Sequence, residues 1–239
     1  MYSAIASGAQ GMDSLTLYIL LVIPAFIFSL VAQGMVKSAY RKMSQVYSKS
    51  GYSGALAAEA VLRYYGVNGV RIEQVSGNLT DHFDPRSNVI RLSEGVYSST
   101  SIAAIGIACH EAGHAAQYAQ NYYPIKLRNM ILPITKIGSY AGIPLALLGL
   151  ALSFEPLVAV GLLLYSFIMV FQLVTLPVEL NASRRALKVI EETGLLKNQS
   201  EYEGAKKVLR CAAMTYVAAL AVSLANLLRF LILFTRRRR

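Results

Sequence analysis

Cysteine and histidine are scarce in this chain: its 239 residues include two cysteines and three histidines. Cys109 and Cys211 have no C-x-x-C neighbour, which argues against a thiolate zinc site or a disulfide framework. Both lie in apolar stretches, where cysteine packs as a small hydrophobe. Acidic residues are also few, 13 against 23 lysines and arginines, for a net charge of +10. That charge would suit nucleic acid, but no recognition motif accompanies it, so no nucleic-acid partner is expected. The basic residues stand beside apolar blocks instead: Lys37, Arg41 and Lys42; Lys126 and Arg128; Arg184, Arg185 and Lys188; and residues 236–239. Positive charge beside a membrane segment is drawn to anionic lipid and held on the cytoplasmic side.

No lysine or arginine precedes the first apolar run, residues 14–35. A secretory signal would carry a basic start and a small-residue cleavage site, so this run reads as a retained membrane helix. The chain is 55% hydrophobic, against about 45–50% for an ordinary soluble domain. The excess sits in blocks long enough to cross a bilayer. Residues 131–152 and 156–176 are two further spans, turned at Glu155 and Pro156. The basic flanks put the N-terminus outside and residue 37 onward inside. A last helix begins near Glu201 and runs to about Phe234. Crossing would leave residues 236–239 outside, against the charge rule. It therefore either lies along the cytoplasmic surface or crosses and breaks the rule, giving three or four spans.

Between the spans the chain is polar. Residues 52–65 have helical spacing, with Gly66 as a stop. Residues 70–76 alternate as a strand does. Residues 81–88 carry turn chemistry, and residues 89–92 read as the second strand of a hairpin. Residues 102–120 form one alanine- and isoleucine-rich helix after serine caps. Residues 178–192 read as a separate amphipathic helix that stops near Gly194.

Two of the three histidines fall in Cys109-His110-Glu111-Ala112-Gly113-His114, an H-E-x-x-H pattern on the 102–120 helix. Residues four apart share a helical face, so His110 and His114 can both reach one metal ion. Zinc favours such nitrogen ligands. Glu111 projects beside that face and can take a proton from a metal-activated water, then pass it to a leaving amine. Without a metal, this alanine-rich helix would bury two imidazoles and a carboxylate at a cost on the order of a few kcal/mol. Gly113 would allow another element to approach closely.

A catalytic zinc usually has three protein ligands and water. No third histidine follows at the x-x-G-x-x-H spacing, so the third ligand is His82 or a carboxylate. Glu179 is the choice, because the hairpin of the second and third spans returns it to the H-E-x-x-H helix. The bland reading of Glu179 is a carboxylate in the first turn of a helix, favoured by the macrodipole, or a partner of Arg184. His82, in a turn-rich segment, is also a candidate substrate contact. Residues 88–92 are taken as an edge strand that could pair with an extended substrate. Tyr216 and Arg184 are candidate oxyanion donors.

The segments DHFDPRSNVIRLSEGVYSS, IGIACHEAGHAAQYA, LPVELNASRRAL and AAMTYVAAL, in this order, resemble the YugP-like neutral zinc metallopeptidases, a family of bacterial membrane proteins. The resemblance spans nearly the whole chain. It implies a gluzincin-like peptidase, similar to the HtpX-like membrane proteases, with His110, His114 and Glu179 as ligands of one zinc ion and Glu111 as base. HtpX-like proteins usually place an aspartate four residues after the ligand glutamate. Here that position is Ser183, with Asn181 nearby, so the groups that orient the ligand histidines differ.

The expected fold is a mostly α-helical integral membrane protein with a gluzincin-like catalytic unit and a small β-hairpin or sheet. The expected organisation is an N-terminal transmembrane helix (1–35), a cytoplasmic catalytic segment (36–125), a transmembrane hairpin (126–176), cytoplasmic helices with the third ligand (177–210), and an apolar helix with a basic tail (211–239). The expected activity is that of a zinc metalloendopeptidase in the bacterial cell membrane, cutting polypeptide on the cytoplasmic side. The rival reading is a non-catalytic zinc module that regulates a partner. A structural zinc site fills all four positions with protein and needs no Glu111, which favours catalysis.

Overall fold

The computed structural model describes residues 14–237, with side chains as far as Thr235. Residues 1–13 and the side chains of the basic 236–239 cluster lie outside the described residues. Seven helices and three strands follow in the order α1 (Ser14–Ser44), α2 (Gly54–Tyr64), β1 (Arg71–Val75), β2 (His82–Asp84), β3 (Val89–Ser93), α3 (Glu94–Tyr97), α4 (Ile102–Ala119), α5 (Tyr123–Ala151), α6 (Glu155–Thr193) and α7 (Gln199–Arg237).

The four long helices are each long and apolar enough to cross a membrane: α1, α5, α6 and α7. The protein is a mostly helical, multi-pass membrane protein with a small sheet. Proline lies inside three of these helices, α1, α5 and α6, without ending them. In α1 a π turn over Tyr18–Val22 ends two residues before Pro24. A proline ring crowds the turn before it and supplies no N–H, and a widened turn relieves both. In α6 Pro177 is internal, so the expected span 156–176 and the expected amphipathic helix 178–192 are one 39-residue helix. Proline removes a single backbone hydrogen bond there, and apolar packing on both sides of it carries the helix through.

The chain divides into two compact units. The first comprises α1 up to Ala32, Leu127–Thr175, and α7 from Thr215 onward. It is held by a cluster of Ala146, Val158, Leu162 and Phe230. Gly161 faces Ala146 and Gly142 so closely that a Cβ there would overlap their backbones. Such small-residue contacts let helices pack tightly where no hydrophobic drive separates protein from lipid. Leu147, Leu163 and Leu173 point outward, as a lipid-facing surface requires.

The second unit comprises Gln33–Lys126 and Leu176–Met214. Its core joins Ala57, Val61 and Leu62 of α2, Ile90 and Leu92 of β3, Ile105, Ala108 and Ala112 of α4, Val189 and Ile190 of α6, and Ala205 and Leu209 of α7. The many alanines bring helix axes close together. Ser53 and Ser101 cap α2 and α4 by accepting the N–H of Leu56 and Ala104. Gly66, at φ +64°, ends α2 in the left-handed region that favours glycine.

The sheet corrects one expectation. Its order is β1-β3-β2, with β1 parallel to β3 and β2 antiparallel to it. The hairpin is therefore β2–β3, and residues 70–76 are not its first strand. Asp84 closes the turn: its carboxylate accepts the backbone N–H of Arg86, the hydroxyl of Ser87 and the guanidinium of Arg91. Strand β3 is central and covered on both sides. The expectation that residues 88–92 form the free edge is thus overturned, and β2 holds an edge instead.

Candidate metal centre

α4 carries His110 and His114 one turn apart, with ring centroids 4.7 Å apart and nearly perpendicular. α6 crosses α4 at Gly113, whose missing side chain leaves room for the Ala182 backbone; a Cβ would stand 2.7 Å from the Ala182 carbonyl oxygen. This contact brings Glu179 against the histidine face. Glu179 Oε2 lies 3.3 Å from His110 Nε2 and 3.4 Å from His114 Nε2. Among the described residues, these three are the group of histidines and acids able to share a metal ion. Glu179 is 4% exposed, far too little for a carboxylate with no role. It sits well inside α6, so the reading of Glu179 as a first-turn carboxylate favoured by the helix dipole does not apply.

Both imidazoles turn Nε2 inward and hold Nδ1 in a hydrogen bond. His110 Nδ1 is 3.0 Å from Ser183 Oγ, and His114 Nδ1 is 3.0 Å from Gln117 Oε1. Gln117 is fully buried. Its Nε2 donates to the Val178 carbonyl at 2.8 Å and to Asn181 Oδ1 at 2.9 Å. Asn181 Oδ1 also accepts from Arg185 Nε at 2.8 Å. Sequence reasoning singled out Ser183 and Asn181 but missed Gln117. The available signal was a lone amide three residues after His114, hence on its face of an otherwise apolar helix.

Glu111 stands beside this cluster and accepts the backbone N–H of Phe83 at 3.0 Å. Phe83 is the middle residue of β2 and pairs with Ile90, so the sheet edge and the acid meet at one point. His82 is exposed on β2, with Nδ1 2.8 Å from the Thr80 carbonyl oxygen; it is outside the His110–His114–Glu179 group. Arg184 is exposed on α6. It lines a groove of about 390 Å³ with Leu180, Leu187, Leu209 and Arg210. Tyr216 lies on α7 in the other compact unit, partly buried. Cys109, beside His110 in sequence, points to the Ala57 carbonyl, and burial pushes its thiol pKa well up.

Electrostatics in the cluster run in opposite directions. Burial works against a charged His114, but the hydrogen bond and charge of Glu179, then the charge of Glu111, raise its pKa overall. Burial likewise works against a charged Glu179, but the hydrogen bonds and charges of His110 and His114 hold its carboxyl below the usual range.

The donor set fits zinc. Two imidazoles and a carboxylate, with no cysteine, make up a common catalytic zinc set. Donors bound at about 2.0–2.1 Å in a tetrahedral arrangement stand about 3.4 Å from one another. The Glu179 oxygen keeps that spacing from both ring nitrogens.

The family described as "putative neutral zinc metallopeptidase" matches residues 18–235. The chain belongs to this family. A curated relative, "Putative membrane protease YugP" of Bacillus subtilis (strain 168), is 45% identical over 222 residues, covering 93% of this chain and 98% of the relative. No solved structure matches the chain. The family description names zinc, and the His110–His114–Glu179 cluster is a group able to take it. The relative's name places it in a membrane, in keeping with the four apolar helices.

Proposed function

We propose that this member of the family is a membrane-embedded zinc endopeptidase. The observation that carries the reading is Glu179 Oε2 between His110 Nε2 and His114 Nε2, with the Glu111 carboxylate beside them. His110, His114 and Glu179 would hold one zinc ion, and Glu111 would act as the general base. A zinc ion held there would lower the pKa of a water to about 7 and polarise the scissile carbonyl. Three protein ligands leave a position open for that chemistry, which favours catalysis over a structural or regulatory zinc module.

The chain's own groups do the rest. Glu111 takes a proton on its carboxylate and returns it to the departing amine. Ser183 and Gln117 orient the two imidazoles. The β2 edge gives an extended polypeptide a backbone to lie along, next to Glu111. His82 stays a candidate substrate contact, and Arg184 a candidate oxyanion donor. The basic flanks favour an outside N-terminus and an active site on the cytoplasmic side of a bacterial cell membrane.

The test is hydrolysis of an unfolded protein substrate by the detergent-purified chain, beside Glu111→Gln. Cleavage by the wild type that the variant loses supports the reading. Equal cleavage by both would point to a contaminating protease and count against it.

A further inference from the structure

We propose that Gln117 is a positioning residue of the metal centre, which fixes the tautomer of His114 and ties that ring to the turn of α6 carrying Glu179. Its effect on metal affinity rests on the zinc reading above; its effect on the tautomer does not.

Several hydrogen-bond partners around Gln117 can play only one part. A glutamine amide has a donor end and an acceptor end, and its neighbours decide which faces where. The Val178 carbonyl can only accept, so the Gln117 atom 2.8 Å from it is the NH2. The same nitrogen lies 2.9 Å from the Asn181 side-chain atom that faces Arg185 Nε at 2.8 Å. Arginine only donates, so that Asn181 atom is the oxygen. Both contacts commit the Gln117 nitrogen to α6. The Gln117 oxygen is left facing His114 Nδ1 at 3.0 Å. An oxygen acceptor there requires a proton on Nδ1. The neutral ring then carries its lone pair on Nε2, the atom turned toward Glu179.

His110 has no such constraint. Its Nδ1 meets the Ser183 hydroxyl, which can donate or accept. The two ligand histidines are therefore held differently, one in a fixed tautomer and one adaptable. Val178 and Asn181 flank Glu179 in sequence, so the same amide also pins the backbone that presents the carboxylate. Full burial shields these bonds from competing water.

The chain has three histidines, which makes the tautomers readable by two-bond 1H–15N spectra of the full-length, histidine-labelled protein. The measurement is made in detergent with EDTA, at a pH where the imidazoles are neutral. Wild-type His114 is expected as the Nδ1–H tautomer. Gln117→Met, close in volume but without hydrogen bonds, is expected to lose that preference while His110 keeps its spectrum. Zinc affinity should fall about 10–100-fold, as for loss of other groups that orient a ligand histidine. Gln117→Glu keeps an acceptor for Nδ1–H but loses the donors to α6. It should retain the tautomer and still bind zinc more weakly. A wild-type His114 protonated on Nε2 overturns the proposal without any variant. So does a Gln117→Met protein with wild-type tautomer and wild-type zinc affinity. A wild type that takes up no zinc overturns the metal reading instead, and the tautomer measurement then decides the role of Gln117.

Discussion

Gly113 on α4 and Ala182 on α6 meet backbone to backbone, close enough that a Cβ on Gly113 would stand 2.7 Å from the Ala182 carbonyl oxygen. The contact sits one residue before His114 and three after Glu179, so it sets the distance between the candidate ligands. Gly113→Ala forces the helices apart. Overpacking of this kind costs about 1–3 kcal/mol. The variant should show a lower Tm in detergent and weaker zinc binding. Glycine at 106, next to the Ala205 side chain with a looser 3.4 Å fit, should tolerate alanine better and serves as the control.

Ser183 is expected to act through His110 alone. Ser183→Ala removes the Nδ1 partner and leaves the ring freer to turn. Zinc affinity should drop by about tenfold or more, with little change in the Tm of the metal-free protein. An equilibrium titration against a zinc chelator measures it.

Glu111→Gln should separate chemistry from structure. The amide oxygen can still accept the Phe83 N–H, so the sheet edge stays in place. The variant should bind zinc like the wild type and lose about 10²–10⁴-fold in hydrolysis, the usual worth of a general acid–base group. Matched metal content and cleavage assays decide it.

Asp84 gives a pH dependence of known sign. Hydrogen bonds from the Ser87 hydroxyl, the Arg86 N–H and Arg91 hold its carboxyl well below the usual carboxylate range. A carboxylate with a lowered folded pKa stabilises the fold above its unfolded value, about 3.9, and that contribution is lost as pH falls below it. Asp84→Asn should therefore lower the Tm at neutral pH and flatten its decline in acid. The loss sets in below about pH 3.9 and continues toward the much lower folded value, so melting curves from pH 7 down to about pH 2 test it. Parallel wild-type and variant curves over that range would contradict the role.

Much of this arrangement is written in local pattern. The four-residue spacing of His110 and His114, the serine caps and Gly66 depend on neighbours in sequence, and they read directly. The sheet did not. Strand alternation shows which residues face inward, but the parallel pairing of Arg71–Val75 with Val89–Ser93 is set by the packing of the connection between them. Pro177 misled for a related reason: its cost is local, whereas the burial of Val178, Ala182 and Ala186 that carries α6 onward is tertiary. Gln117 was hidden because its partners, Val178 and Asn181, are some sixty residues away. Only the close approach at Gly113 brings them together.

The His110–His114–Glu179 centre is tested most directly by the metal content of the purified, detergent-solubilised protein beside that of Glu179→Ala. About one zinc per chain is expected in the wild type, lost or greatly weakened in the variant. Zinc retained in full by Glu179→Ala would contradict the assigned third ligand. A wild type that holds no metal after replenishment would contradict the zinc centre itself.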